Sequence, residues 1–513
     1  LNWAAGRSVF SGYRVIENDL SKINAPASSL KFVNVRKEEI QCKALGFVEP
    51  IKICDMDKNP GVRFHPDKYY WLNQKSAVQH RYACKMDEPD EWEMARFRTF
   101  CRMHFRSFKK CRQMSFDEWL AGTNYSQSRK NQLIREKINS RTNFVSHRNK
   151  SFIKDEGYDE WKFPRAINSY EDSVKVLLGP YIKSIEKSVY QEKFFVKGLD
   201  NHERDIRLKH NFGSLSVCYT DFSHFESHHH GEMNKMFLEF VNFVAGDSLE
   251  FDLLTDLVLG ENKSVFSHVT AIVSERLMSG AMWTSLQNSV VNLFIISYLK
   301  FRSDPDSFEF ETQVTMIEGD DGITESFHWD NKVISRLGIC LKIGYAPDFS
   351  LASFCGRVIT LDSCLTEPCK ALEKLMWFPN RYASMSRPML LSLLKCRAVS
   401  LAYNQVGCPI LHRLALRIVH QTTNIDHRSA YKHVDQYTCV RVTVDQLIDV
   451  EPSTDSRVLF EQLYGISIAS QMRTEQNIAS WVIGGILELD FSWPQDWLYC
   501  FDSSLIDVTC GVL

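Results

Sequence analysis

Thr312-Gln313-Val314-Thr315-Met316-Ile317-Glu318 runs into Gly319-Asp320-Asp321-Gly322 and on into Ile323-Thr324-Glu325. Strand, Gly-Asp-Asp-Gly, strand is the pattern of a hairpin with two carboxylates at its tip. Upstream, Ser214-Leu215-Ser216-Val217-Cys218-Tyr219-Thr220 alternates apolar and polar and predicts a second strand that ends at Asp221. Clustered carboxylates on adjacent strands repel one another and are tolerable where cations neutralise them. Magnesium suits such a site, because it takes hard oxygen ligands and keeps positions open for phosphate oxygens. Two such ions about 4 Å apart can activate an attacking hydroxyl and hold a leaving pyrophosphate. Gly-Asp-Asp alone also fits the turn of a purely structural hairpin, so the surroundings must decide.

The chain has 513 residues, with 61 Lys+Arg against 63 Asp+Glu and a formal charge of −2. Hydrophobic residues make up 44% and charged residues 24%, which excludes a disordered, fibrous or low-complexity protein and predicts a large multilobed body. The 15 cysteines form no C-x-x-C pair and their number is odd, so they read as reduced, mostly buried thiols. Structural zinc on Cys364 and Cys369 is disfavoured by their spacing. The chain opens Leu1-Asn2-Trp3, which predicts a piece of a longer product, and no signal-peptide pattern follows. The charge-free stretch 277–299 has the length of a membrane span. Its Ser279, Thr284, Ser285, Gln287, Asn288, Ser289, Asn292 and Ser297 predict a buried helix instead.

Charge is unevenly placed. Residues 101–150 hold 12 Lys+Arg against Asp117, Glu118 and Glu136, a balance of +9, which leaves −11 for the rest. Such a segment is either a solvated helix face or a surface that meets phosphates. Residues 170–190 predict a helix, a break at Gly179-Pro180 and a second helix. Helical spacing covers 232–260, and after 370 the pattern is helical again (372–377, 389–403, 411–420).

The order of features narrows the meaning of the acids. Asp221-Phe222-Ser223-His224-Phe225-Glu226 places a second acid five residues after the first. Met278-Ser279-Gly280-Ala281-Met282-Trp283-Thr284-Ser285-Leu286-Gln287-Asn288 follows, and Gly319-Asp320-Asp321 comes third. This series resembles the palm motifs of RNA-dependent RNA polymerases of positive-strand RNA viruses, the tombusvirus-like and broader flavivirus-like supergroup. Tyr125-Ser126-Gln127-Ser128-Arg129-Lys130, Phe152-Ile153-Lys154-Asp155-Glu156 and Lys162-Phe163-Pro164-Arg165-Ala166-Ile167 resemble that group's fingers segment. Ser353-Phe354-Cys355-Gly356-Arg357 is similar to its last palm motif, and Ser400-Leu401-Ala402-Tyr403-Asn404 with Gly407-Cys408-Pro409-Ile410 to a thumb segment. The likeness spans roughly 120 to 412. Glu226 stands where many relatives have Asp, and Ser279-Gly280-Ala281 replaces their Ser-Gly-Asp.

The resemblance implies an α+β right-hand polymerase fold: an N-terminal region and fingers in 1–210, a palm in 211–370 with a fingers insertion near 232–275, and a thumb with the C-terminal region in 371–513. It implies Asp221, Asp320 and Asp321 as ligands of two Mg2+ ions, with Mn2+ as a substitute, and Lys342 as the general acid for pyrophosphate. Lys154, Lys162 and Arg165 would contact the triphosphate. Glu226, Ser279, Gly280, Thr284 and Asn288 would surround the ribose of the incoming nucleotide. Arg129, Lys130, Arg135 and Lys137 are candidates for the template entry path. His224, His228, His229 and His230 could pass for a zinc cluster, but the resemblance makes them structural. The implied activity is synthesis of RNA on an RNA template from NTPs. Reverse transcriptase and an inactive RNA-binding relative are the alternatives. Other viral replication proteins, host membranes and a setting in the host cytoplasm complete the expectation.

Overall fold

The computed structural model describes residues 30–35, 47–48, 51–52, 55–56, 65–82, 87–139, 146–157, 163–229, 231–360, 362–434 and 439–492. Nine strands build its two larger sheets: β1 (Leu30–Val35), β2 (Arg148–Ile153), β3 (Ala166–Tyr170), β4 (Val217–Phe222), β5 (Glu261–Val265), β6 (Val269–Ser274), β7 (Thr315–Glu318), β8 (Asp321–Glu325) and β9 (Leu341–Ala346). The five-stranded sheet has the order β1-β6-β5-β2-β3, with β2 and β5 parallel and the other pairs antiparallel. The four-stranded sheet is antiparallel throughout, in the order β7-β8-β4-β9. The protein is thus a mixed helix and sheet structure with small, largely antiparallel sheets.

Strands β4, β7 and β8 are largely buried on both faces while the edge strand β9 exposes Lys342 and Tyr345, and period-two alternation assigns the residues. Val217, Met316, Ile323 and Ala346 pack with Leu208 and Phe212 of the helix Asn201–Phe212. Cys218 and Ile317 point the other way, into the main core. That core is rich in rings. Phe108 meets Phe240 edge-on at 4.9 Å, and Phe294 stacks on Phe310 at 5.8 Å. Three long helices cross it: α1 (Trp71–Tyr82), α2 (Asp172–Val189) and α3 (Thr284–Ser303). A separate core built on Leu372, Leu394, Leu411, Leu414, Phe460 and Ile478 holds the C-terminal helices together.

Several expectations need correction. The strand predicted from residue 312 begins at Thr315, because Thr312 and Gln313 close a turn on the carbonyl of Glu309. The strand predicted to stop at Asp221 starts at Val217 and runs to Phe222, since β9 pairs Lys342 with Asp221 and Leu341 with Phe222. The helical stretch 232–260 is two helices, Gly231–Ala245 and Leu249–Leu259. Gly246 at φ +81° turns the chain and Ser248 caps the second helix.

The predicted break at Gly179-Pro180 does not occur. The helix α2 runs unbroken through both residues. Proline there removes one backbone hydrogen bond and would ordinarily end or kink the helix. Burial compensates: Val176, Leu178, Gly179, Pro180, Tyr181 and Ile182 are all buried, and the Ser184 hydroxyl donates to the Pro180 carbonyl at 2.7 Å. Gly179 is needed for space, since a Cβ would lie 2.5 Å from the Trp119 ring. Gly179→Ala should therefore cost about 1–3 kcal/mol by overpacking. Urea unfolding should report that loss, and a Trp119→Ala background should remove most of it.

The helix α3 accounts for the polar, charge-free stretch. Every residue from Leu286 to Lys300 is buried. Ser297 pairs with Gln313, and the Gln287 amide donates to Asn234 at 2.8 Å. Among the described residues no helix is long and apolar enough to cross a membrane.

Candidate active site

Glu318 and Asp321 face each other across β7 and β8, so Gly319 and Asp320 form a two-residue hairpin loop. Gly319 takes φ +64°, the positive angle that such loops ask of glycine at their first central position. The loop is gripped from α3. The Ser289 hydroxyl accepts from Gly319 N at 3.0 Å, and the Asn292 amide donates to the carbonyls of Gly319 and Asp321 at 3.1 and 3.2 Å. Gly322 is a steric requirement, because a Cβ would lie 2.6 Å from Thr220 Oγ1 and 2.8 Å from Ile296 Cδ1. The hairpin lies beside β4, where Gly322 pairs with Thr220, so Asp221 is brought to the same end of the sheet as Asp320 and Asp321.

The charges respond to this crowding. Burial, then the neighbouring Asp320 and Asp221 charges, push the Asp321 carboxyl from its ordinary 3.8 up to about 7. Burial, then the Glu226 charge, raise Asp320 as well. Asp320 itself is solvent-exposed. On the other side of β4, Lys342 Nζ stands 3.9 Å from Asp221 Oδ2, both groups exposed. Glu318, at the base of the loop, is held by Arg204 at 2.6 Å and receives the Cys355 thiol at 3.5 Å.

Glu226 follows in a short helix entered through His224 at φ +55°. It is buried and paired with Arg81 of α1. The same Arg81 nitrogen, Nη2, donates to Ser279 Oγ at 2.9 Å. Asn288 presents a buried side-chain oxygen that has no hydrogen-bond partner among the described residues. Thr284 Oγ1 is turned to the Met278 carbonyl at 3.0 Å. Gly280 has φ +97°, and a Cβ there would lie 2.7 Å from the Asn168 carbonyl.

Asn168 is the buried hub beneath that loop. Its side-chain oxygen accepts from Ser151 at 2.7 Å and Ser264 at 3.0 Å, its amide nitrogen donates to the Tyr82 hydroxyl, and its backbone N–H donates to the Ser279 carbonyl at 2.7 Å. Tyr82 in turn accepts from Ser279 N at 3.1 Å. Arg81, Asn168, Ser289, Asn292 and Cys355 were not picked out as site residues from sequence. Ser289, Asn292 and Cys355 lie in stretches that the sequence marks for other reasons, and Arg81 has no local signal at all.

The remaining candidates are distributed as follows. Lys154 and Arg165 converge on Glu156 from neighbouring strand ends, with Lys154 at 3.0 Å. Burial would raise Glu156, but the Arg165 and Lys154 charges prevail and hold its carboxyl at about 2. Asp155 between them is tied to Arg381 at 2.5 Å. Lys162 lies outside the described residues. On the helix Gln127–Asn139, Lys130, Arg135 and Lys137 are partly or fully exposed, whereas Arg129 makes two bonds to Asp172 at 2.5 and 2.6 Å. His228 accepts from Cys340 N at 2.8 Å through Nε2 and turns Nδ1 to the His224 carbonyl at 3.2 Å. Nε2 thereby ties the short helix after β4 to the chain just ahead of β9, while Nδ1 makes a local contact one turn back. His230 lies outside the described residues.

Hard carboxylate oxygens, mutual repulsion and solvent access make Asp221, Asp320 and Asp321 fit a divalent cation by donor type and charge. Among the described residues no group of three or more such side chains is drawn together as a finished metal cluster. With the geometry on the page, the comparisons add the class. Residues 189–334 match the family model of viral RNA-dependent RNA polymerase. The chain carries that polymerase domain, and with it RNA-directed RNA polymerase activity. Its substrates are accordingly RNA and NTPs, and enzymes of this family are in general dependent on a divalent metal. The match contains Asp221, Glu226, Ser279, Gly280, Thr284, Asn288, Asp320 and Asp321, and it ends before Lys342. No curated protein matches the chain.

The raised acids carry a stability consequence. A carboxyl whose folded pKa lies above its unfolded value supports the fold at low pH and loses that support as pH rises through about 7. In chelator-treated protein, Asp321→Asn should raise the Tm at pH 8 by a few degrees and leave it nearly unchanged at pH 4. Scanning fluorimetry at the two pH values checks this.

Proposed function

We propose that the chain extends RNA on an RNA template by nucleotidyl transfer from NTPs to the RNA 3′-hydroxyl, using a right-hand arrangement. Residues up to about 210 supply fingers, 211–370 a palm with an insertion near 232–275, and 371–513 a thumb and C-terminal region. The observation that carries the reading is the convergence of Asp221, Asp320 and Asp321 at one end of an antiparallel sheet, with Asp321 pushed to about 7 by burial and then by its charged neighbours. Asp221 and Asp320 would be the principal metal ligands, with Asp321 assisting. When bound, two Mg2+ ions, or Mn2+ in their place, would activate the 3′-hydroxyl and stabilise the departing pyrophosphate. Asp320→Ala should abolish nucleotide addition in a magnesium-dependent synthesis assay on a short unprimed RNA while RNA binding persists. Near-normal synthesis would remove Asp320 from the metal site.

The chain's own side chains have distinct tasks. Lys342, beside Asp221, would deliver a proton to pyrophosphate. Lys154, Arg165 and Lys162 would draw the triphosphate by charge. Ser279, Thr284, Asn288 and Glu226 would surround the ribose, with Gly280 allowing the loop its positive φ. The unpartnered oxygen of Asn288 supports this, since a ribose 2′-hydroxyl would satisfy it. A site that hydrogen-bonds a hydroxyl disfavours the analogue lacking it. Asn288→Ala should therefore raise dUTP use relative to UTP, an outcome read from the ratio of kcat/KM values. This sugar preference separates the reading from a reverse transcriptase, and the retained acids separate it from an inactive RNA-binding relative.

Template RNA would enter along the helix Gln127–Asn139. Lys130, Arg135 and Lys137 would meet phosphates there, with Arg129 contributing less while it holds Asp172. Alanine at Lys130, Arg135 and Lys137 together should weaken RNA binding alike for all sequences. The slope of log K against log salt should flatten by up to about 0.7 per lost contact. The likeness to the tombusvirus-like group in the flanking motifs supports a membrane-associated replication complex in the host cytoplasm, with other viral replication proteins, as the proposed setting.

A further inference from the structure

We infer that Arg81, a residue of the helix Trp71–Tyr82 that lies outside the matched polymerase segment, is a specificity-determining positioning residue of the sugar site. The inference rests on the reading of Glu226, Ser279 and Asn288 as the group that senses the ribose.

Arg81 Nη2 has two hydrogens and uses them on two acceptors, Glu226 Oε1 and Ser279 Oγ. One nitrogen thereby joins the two stretches of chain, 221–226 and 278–288, that the sugar site needs side by side. Glu226 has one methylene more than the aspartate that many relatives place there, and so one more torsion to fix. Its Oε1 is occupied by Arg81, while Oε2 accepts no hydrogen bond among the described residues and remains available to a hydroxyl. Arg81 is itself held: the Ser227 hydroxyl donates to its backbone carbonyl at 2.6 Å, and the next residue, Tyr82, is buried in the Asn168 network.

Charge gives Arg81 a second task. Glu226 is buried and acts on Asp320 as a further negative charge, whereas Arg81 acts on Asp320 with the opposite sign. The guanidinium therefore offsets the buried negative charge beside Asp320 while its charge-assisted bond fixes the direction of the Glu226 carboxylate. Lysine keeps the charge but lacks the planar fork, so charge and geometry can be separated by substitution.

The test is the UTP to dUTP ratio of kcat/KM in extension of a primed RNA template by the full chain, for wild type, Arg81→Lys, Arg81→Met and Asn288→Ala. The ratio should fall by about tenfold or more in Arg81→Met, and by a smaller factor in Arg81→Lys. If Arg81→Met does not fold, the Lys variant decides alone. Equal losses on both nucleotides with the ratio within about twofold of wild type would make Arg81 a packing residue and overturn the inference. A reduced ratio in Asn288→Ala beside an unchanged one in the Arg81 variants overturns the role of Arg81 and leaves the sugar site standing. An unchanged ratio in all three overturns the sugar site and the inference together. A reduced ratio in the Arg81 variants alone supports Arg81 and removes Asn288.

Discussion

The site depends on one buried amide. Asn168 sits at zero exposure under the loop 279–280 and links four pieces of chain that are far apart in sequence. Its side chain takes hydroxyls from β2 and β5, reaches Tyr82 on α1, and its backbone holds the Ser279 carbonyl. A buried amide leaves few alternatives, because each unmet bond would cost the full desolvation of the group. The five-stranded sheet and the loop 279–280 are therefore fixed relative to one another by hydrogen bonding, and hydrophobic packing fills the space around them.

The four-stranded sheet is organised differently. Its two faces bury separate apolar sets, and its functional groups are confined to one end, where the strands stop. Helix α3 links the two arrangements. Its side chains grip the hairpin loop through Ser289 and Asn292, while Asn288 on the same helix buries an oxygen with no hydrogen-bond partner among the described residues. A helix with this much burial and no charge before Lys300 can place neutral hydrogen-bonding groups deep in the protein without the cost of desolvating ions.

The main elements were legible in sequence because their signals are local. The hairpin was announced by Gly-Asp-Asp-Gly between alternating strands, and the buried helix by polar residues without charge. The boundaries were not, since the end of β4 is set by pairing with β9 more than a hundred residues away. The continuous helix through Pro180 was missed for a related reason: the Trp119 ring that makes Gly179 necessary is remote in sequence, and tertiary burial overrode a local breaker. Within the site, the acids carried a motif, whereas Arg81 and Asn168 act through partners that only folding brings near. Arg129 shows the reverse. Counted among the free cations of a basic stretch, it is bound to Asp172, which the sequence places in a different helix.

The grip on the hairpin tip has one further consequence. Everything that holds Gly319 and Asp321 from α3 is a hydroxyl or a carboxamide, groups that neither titrate between pH 4 and 9 nor are screened by salt. The aspartates at that tip raise one another's pKa, so a mount made of ion pairs would shift with every change in their charge. A neutral mount does not. Position and charge are thereby uncoupled at the hairpin tip, and the acids can gain or lose protons while the frame that holds them stays still.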